Sequence, residues 1–185
     1  MKKNKVLHFQ LLPILSGVQN VSRNEIEYLK DDFDFELACS FPGPLSDEIQ
    51  RLGLKTHFFP ELKHPINIKG DLITFFKLLR FFRENRYDIV HTHSSKPGFL
   101  GRITAKLTGC KKVIHTVHGF AFGFSKNPVK RLLYYLLEFT AARFTDKILV
   151  MNAADYKFCK SRLLIPGKKI VFLANGIKDE FFNST

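Results

Sequence analysis

The run Asp88-Ile89-Val90-His91-Thr92-His93-Ser94-Ser95-Lys96-Pro97-Gly98 changes periodicity midway. Its first part, 88–92, is short and apolar, as a strand covered on both faces requires. Its second part reads as a helix start. Ser94 or Ser95 can cap the first turn, Pro97 sits near the first helical position, and Gly109 lies just past the end at Leu107. Period two puts His91 and His93 on one side of the strand. A buried strand feeding directly into a helix is half of a βαβ unit.

The same alternation extends outward in both directions. Strands are expected at Val6–Leu11, Phe35–Cys39, Lys55–Phe59, Asp88–Thr92, Lys112–Val117, Lys147–Val150 and Lys169–Leu173. Helices are expected at Val18–Lys30, Leu45–Leu52, Asp71–Asn85, Pro97–Leu107, Pro128–Phe144 and Ala153–Ser161. The fold class is therefore α/β: a Rossmann-like, doubly wound parallel sheet of about seven strands with helices on both faces. In such a sheet ligands bind beyond the carboxyl ends of the strands, at the topological switch point. The loops after strands one, four and five are thus the places to look.

The first loop carries Ser16 and Gly17 at the start of a helix. Gly17 is either a turn glycine or a point where backbone N–H groups approach an anion. There is no G-x-G-x-x-G and no P-loop signature. The fourth-strand loop offers His93, Ser94, Ser95 and Lys96, a set suited to an oxyanion or a sugar hydroxyl. The His91-x-His93 spacing also suits a metal, but no third ligand or carboxylate stands beside it in the sequence. One histidine packed in the sheet and one hydrogen-bonded at its rim is the alternative, and the expectation is no metal. The fifth-strand loop places His118 at the strand end, followed by Gly119 and Phe120, with Phe122, Gly123 and Phe124 beyond. A histidine there either does polar work on a substrate or is structural.

The chain has 185 residues, enough for one α/β domain with its own core. A hydrophobic content of 45% with 25% charged residues argues against global disorder. A formal net charge of +12 predicts attraction to something anionic, whether nucleic acid, lipid or phosphorylated sugar. No nucleic-acid motif is present and the basic residues are spread along the chain, so nucleic acid is not an expected partner. Cys39, Cys110 and Cys159 form no metal or disulfide pattern and read as buried thiols of a reducing compartment. The first apolar run is broken by His8 and Gln10 and stopped by Pro13, so it is a strand and not a leader. No stretch is long enough to span a bilayer. A cytoplasmic protein is expected, with peripheral contact to the membrane through two basic aromatic helices. One carries Lys77, Arg80 and Arg83, the other Lys130, Arg131 and Arg143. The alternative for each is a core-facing helix with a solvated edge.

Four segments together resemble the N-terminal domain of glycosyltransferase family 4. They are Ser16-Gly17-Val18-Gln19, Asp88-Ile89-Val90-His91-Thr92-His93, His115-Thr116-Val117-His118-Gly119, and Ala174-Asn175-Gly176-Ile177 followed by Phe181. The resemblance covers essentially the whole chain and implies the first half of a GT-B enzyme, with an acceptor-binding domain over 1–174 and an interdomain linker beginning at 175–185. It implies sugar transfer with retention from a nucleotide-sugar, often a UDP-sugar, to a polyprenyl-diphosphate-linked or saccharide acceptor in bacterial surface polysaccharide synthesis. By resemblance, Ser16 and Gly17 face the donor diphosphate, and His118 lies beside the reacting sugar as a polar contact. His93, Ser94, Ser95, Lys96, Gly119 and Phe120 lie on the acceptor side. No tightly bound cofactor and no metal are implied. Two departures stand out. Ser16 replaces the first glycine of a Gly-Gly pair common among relatives, and the two donor-half glutamates seven residues apart are absent. The partner implied is the chain's own C-terminal donor-binding domain, and this half alone is expected to be inactive because half of the transition-state contacts are missing. The rival reading is a stand-alone Rossmann-like module that binds a nucleotide or phosphosugar without chemistry.

Overall fold

Every strand pairs in parallel. In the computed structural model, which describes residues 2–63, 66–120, 123 and 126–173, the strands form one sheet in the order β3-β2-β1-β4-β5-β6-β7. They are β1 (Asn4–Phe9), β2 (Phe33–Cys39), β3 (Lys55–Phe58), β4 (Ile89–His93), β5 (Lys112–Val117), β6 (Lys147–Val150) and β7 (Ile170–Phe172). The order runs one way from β1 to β3 and the other way from β4 to β7, so the switch point lies between β1 and β4. Their register sets His8 opposite His91. The doubly wound parallel sheet read from the sequence is the fold observed. The expected end of the domain at 174 and the linker over 175–185 lie outside the described residues.

The helices are α1 (Gly17–Leu29), α2 (Pro44–Arg51), α3 (Ile68–Asn85), α4 (Ser95–Leu107), α5 (Pro128–Arg143) and α6 (Ala153–Ser161). Side-chain caps explain several starts. Asn67 accepts from Gly70 N–H, Asn127 from Val129 and Lys130 N–H, and Asn152 from Asp155 N–H. The Asn67 cap also explains why α3 begins three residues before the expected Asp71.

Alternate strand residues feed opposite faces. Val6, Phe35 and Leu37 pack with Ile26 of α1 and with Leu45 and Ile49 of α2. Leu7, Phe9 and Val90 pack on the other side with Leu78 and Phe82 of α3 and Leu100 of α4. Farther along that side, Val117, Ile148 and Val150 meet Ala142 of α5 and Cys159 of α6. Helix α4 lies very close to the sheet. A methyl group at Gly98 would come within 2.6 Å of the His115 ring, and one at Gly101 within 2.7 Å of Phe9. Only glycine permits that approach.

One charged pair is built into this layer. Arg102 of α4 is fully buried, and its two terminal nitrogens each lie 2.8 Å from one oxygen of Glu138 on α5. Its Nε donates to Gly98 O at 2.6 Å. The bidentate fork fixes α4 against α5.

Candidate functional site

The carboxyl ends of β1, β4 and β5 are neighbours on one edge, and each supplies histidine. His8 comes from β1, His91 and His93 from β4, and His118 follows β5 directly. Period two aims His8, His91 and His93 to the α1 side of the sheet. The rings sit close together: His8 to His91 is 4.8 Å between centroids, His91 to His93 is 4.2 Å, and His93 to His118 is 5.6 Å. His93 is wholly buried at the centre. Its Nδ1 lies 3.2 Å from His118 Nε2, and its Nε2 lies 3.2 Å from His8 Nδ1 and 3.0 Å from Ser22 Oγ.

Helix α1 closes the cluster from above. Ser22 and Glu25, one helical turn apart, both face inward. Glu25 reaches His91 Nδ1 at 3.2 Å and His8 Nε2 at 3.7 Å. Thr116 of β5 stands 2.7 Å from the other nitrogen of His91. The sequence places a carboxylate nowhere near the His-x-His pair. The fold brings Glu25 to it across 66 residues of chain, so the reason for setting a metal aside does not hold in three dimensions.

The protonation states follow from this burial. His8 is pushed down to about 3 by burial and by neighbouring His91, with Glu25 opposing. His93 is pushed well below the usual imidazole range by burial and by the surrounding histidines. His118, half-buried, is lowered to about 4 mainly by burial. Burial alone would raise the Glu25 carboxyl. The hydrogen bond from His91 and the positive potential of His91, His8 and His118 outweigh it, and the carboxyl lies below its usual range. At neutral pH His8, His93 and His118 are therefore neutral and Glu25 is a carboxylate.

The other expected residues fall into place unevenly. Ser16 caps α1 by position, and its hydroxyl donates to Gln19. A methyl at Gly17 would meet nothing within 4 Å, so this domain itself imposes no need for glycine there. Ser94 is the cap residue of α4, yet its side chain makes no capping bond. Its backbone, at φ 65 and ψ 158, lies in a region nearly reserved for glycine. Ser95 opens α4 and is exposed. Gly119 takes a positive φ of 102, which lets the chain turn away directly after His118.

Two of the expected residues have their side chains engaged by the fold. Lys96 reaches across to α3. Its ammonium lies 2.7 Å from Asp71 and 2.5 Å from Lys63 O, where it straps α4 to the start of α3. Phe120 faces the core. It is buried with Val117 and Ile148, its ring 5.1 Å from Phe158 of α6. Phe122 and Phe124 lie outside the described residues. The residues missed by sequence reasoning are His8, Ser22 and Glu25. Polar His8 and Gln10, at period two inside an otherwise apolar first strand, were the available signal.

Of the two basic aromatic helices, α3 has its charges largely engaged. Lys77 pairs with Glu61 at 2.5 Å and Arg80 with Glu84 at 2.7 Å. Helix α5 leaves Val129, Leu132, Leu133 and Leu136 exposed, beside exposed Lys130 and Arg131. Among the described residues no helix is long and apolar enough to cross a membrane.

Comparison with known proteins follows the same outline. Residues 15–181 match the family described as Glycosyltransferase Family 4. A UDP-Gal:alpha-D-GlcNAc-diphosphoundecaprenol alpha-1,3-galactosyltransferase of Escherichia coli is 41% identical over 181 residues, covering 97% of this chain and 46% of its own length. Among solved structures, a glycosyltransferase of Rickettsia africae superposes with a TM-score of 0.73 at 19% identity, over 99% of this chain and 46% of that one. Anabaena Alr3699/HepE, solved with UDP and glucose, superposes with a TM-score of 0.72 at 14% identity, over 97% of this chain and 46% of that one. The chain spans about half the length of the relatives it matches.

Proposed function

The chain belongs to glycosyltransferase family 4, and on that premise we propose that it is the acceptor-side half of a retaining, two-domain sugar transferase of surface polysaccharide assembly. The donor is a UDP-sugar and the acceptor a polyprenyl-diphosphate-linked sugar. The galactosyltransferase likeness favours galactose as the transferred unit. The observation that carries this reading is the polar floor at the ends of β1, β4 and β5, with a neutral His118 at its rim.

A neutral imidazole has one donor and one acceptor nitrogen. His93 occupies Nε2 of His118, which leaves Nδ1 for a hydroxyl of the reacting sugar. Ser16 and Gly17 at the start of α1 face the diphosphate, where helix amides favour an anion. His93, Ser94, Ser95 and Gly119 shape the acceptor side. Holding both substrates in register lowers the barrier chiefly by orientation. The C-terminal domain supplies the rest of the donor grip, and the isolated chain is inactive.

The test uses the full-length transferase with UDP-sugars and a GlcNAc-diphosphate-lipid acceptor. His118→Ala is expected to lower kcat by about 100-fold, the scale of one lost transition-state contact, with an unchanged circular dichroism spectrum. Unchanged turnover would remove His118 from the site. Product NMR must show the donor's anomeric configuration, and an inverted product would sink the retaining assignment.

The membrane part rests on α5. Its exposed leucines and its basic residues suit the interface of an anionic bilayer, where the lipid-linked acceptor resides. Binding to anionic vesicles should weaken several-fold between low and physiological salt. Equal binding to neutral and anionic vesicles would eliminate the electrostatic component.

A further inference from the structure

Glu25 is a largely covered carboxyl group whose ion-pair partners among the described residues are two imidazoles, with no lysine or arginine beside it. A carboxylate oxygen placed among imidazoles is a ready ligand for a divalent cation. Around it, His8, His91 and His93 each offer a ring nitrogen. One donor atom from each of the four residues can be chosen so that all lie within 4.8 Å of one another.

The donor set suits a tetrahedral divalent ion. Zn²⁺ binds imidazole nitrogen at about 2.0–2.1 Å and carboxylate oxygen at about 2.0–2.2 Å, in a tetrahedron whose edges are therefore roughly 3.3 Å. His8 Nδ1 to His93 Nε2 is 3.2 Å, and His91 Nδ1 to Glu25 Oε2 is 3.2 Å. These two separations are the length of opposite edges of such a tetrahedron, and the wider gaps, up to 4.8 Å, would close as the side chains draw in on the ion. We propose that His8, Glu25, His91 and His93 form a divalent-cation site of the Zn²⁺ type between β1, β4 and α1.

The outer groups are placed as a metal site requires. A ligating histidine donates its second N–H to an acceptor that fixes the ring. Thr116 Oγ1, 2.7 Å from His91 Nε2, fills that role for His91. His118 Nε2, 3.2 Å from His93 Nδ1, fills it for His93. Gln10 is wholly buried, its amide N–H donates to Ser22 Oγ, and its own oxygen has no partner. Ser22 Oγ, which accepts from Gln10 and lies 3.0 Å from His93 Nε2, keeps a second lone pair that can face the ion. The thiols are elsewhere, so the donor set is three imidazoles and one carboxylate. The metal would sit behind His118 and not touch the sugar. It would hold the proton on His93 Nδ1 and so make His118 Nε2 an acceptor. The site stands independently of the transferase assignment.

The test is a metal titration of the 185-residue chain, prepared without a polyhistidine tag and stripped with a chelator. Competition against a chromogenic zinc chelator should show one tight equivalent of Zn²⁺. Co²⁺ in its place should give the intense visible bands of tetrahedral coordination. Glu25→Gln should weaken binding by at least about 100-fold, and Thr116→Val, which removes only the outer partner, by about 10- to 100-fold. A stripped chain that binds zinc no better than Glu25→Gln, or that gives the weak spectrum of octahedral Co²⁺, overturns the proposal. The cluster is then a metal-free chain of hydrogen bonds. If Glu25→Gln does not fold by circular dichroism, the Co²⁺ spectrum of the parent and the Thr116→Val affinity decide the matter.

Discussion

Two buried polar groupings sit on opposite faces of the same sheet and behave differently. Under α4 and α5, Arg102 spends its guanidinium on both oxygens of Glu138 and on Gly98 O. On the α1 side, His8, His91, His93 and His118 share few protons among many nitrogens and leave Glu25 with only imidazoles. The first is closed, with charges matched and directions used. The second keeps lone pairs and a negative charge available. Burial of polar atoms alone therefore does not single out a candidate site, and unspent valence is what distinguishes the second grouping from the first.

The largest effect that sharpens this contrast is on the closed side. Glu138→Ala strands a fully buried guanidinium and should cost about 3–5 kcal/mol in urea unfolding. A loss below about 1 kcal/mol would mean that Arg102 finds another outlet, and the contrast would fail.

A second closed grouping gives a smaller, pH-dependent effect. Glu36 receives Lys5 at 3.0 Å and His57 at 2.7 Å, together with the Tyr87 hydroxyl. Burial would raise its carboxyl, but the hydrogen bonds from His57, Tyr87 and Lys5 prevail and hold it at about 2 against an ordinary 4.5. A depressed carboxyl stabilises the fold fully above the unfolded value, and that stability is lost as pH falls through the folded value. Glu36→Gln should thus cost up to about 3 kcal/mol at pH 7, and the gap between variant and parent should close between pH 4.5 and 2. Parallel stability curves across that range would refute the linkage.

The smallest effect lies on the open side. Ser94→Gly relieves a backbone conformation that costs a serine about 1–3 kcal/mol, less the entropy glycine adds to the unfolded chain. A net gain of about 1 kcal/mol in stability is expected. A net loss in thermal unfolding would show that the serine hydroxyl holds the turn.

Much of this molecule could be read before any coordinates. Alternating strand and helix patterns, Pro97 near the start of α4 and Gly109 after it led to the parallel sheet, and with it to the three loops that matter. His93 and His118 were legible because both end strands. The contacts of Lys96 and Phe120 were not legible for one reason: residue type says what a side chain can do, but not which neighbour takes it first. Asp71 reached Lys96, and the α6 side of the core took Phe120. Glu25 was invisible because helix rotation, set by Ile26 packing on Val6 and Phe35, decides which way it points.

The strand order also shapes the birth of the protein. His8 and His93 touch although 85 residues separate them, because β4 pairs with β1 while β2 and β3 lie between them in the chain. As the chain leaves the ribosome, β1, β2 and β3 can assemble first and present β1 as a naked edge carrying Val6, Leu7 and Phe9. Such an edge is a template for illicit pairing with another nascent chain. High contact order slows its closure. The segment from α3 to β4 is then the element whose arrival ends the hazard, and variants that delay it should lower the yield of soluble protein more than their equilibrium stability suggests.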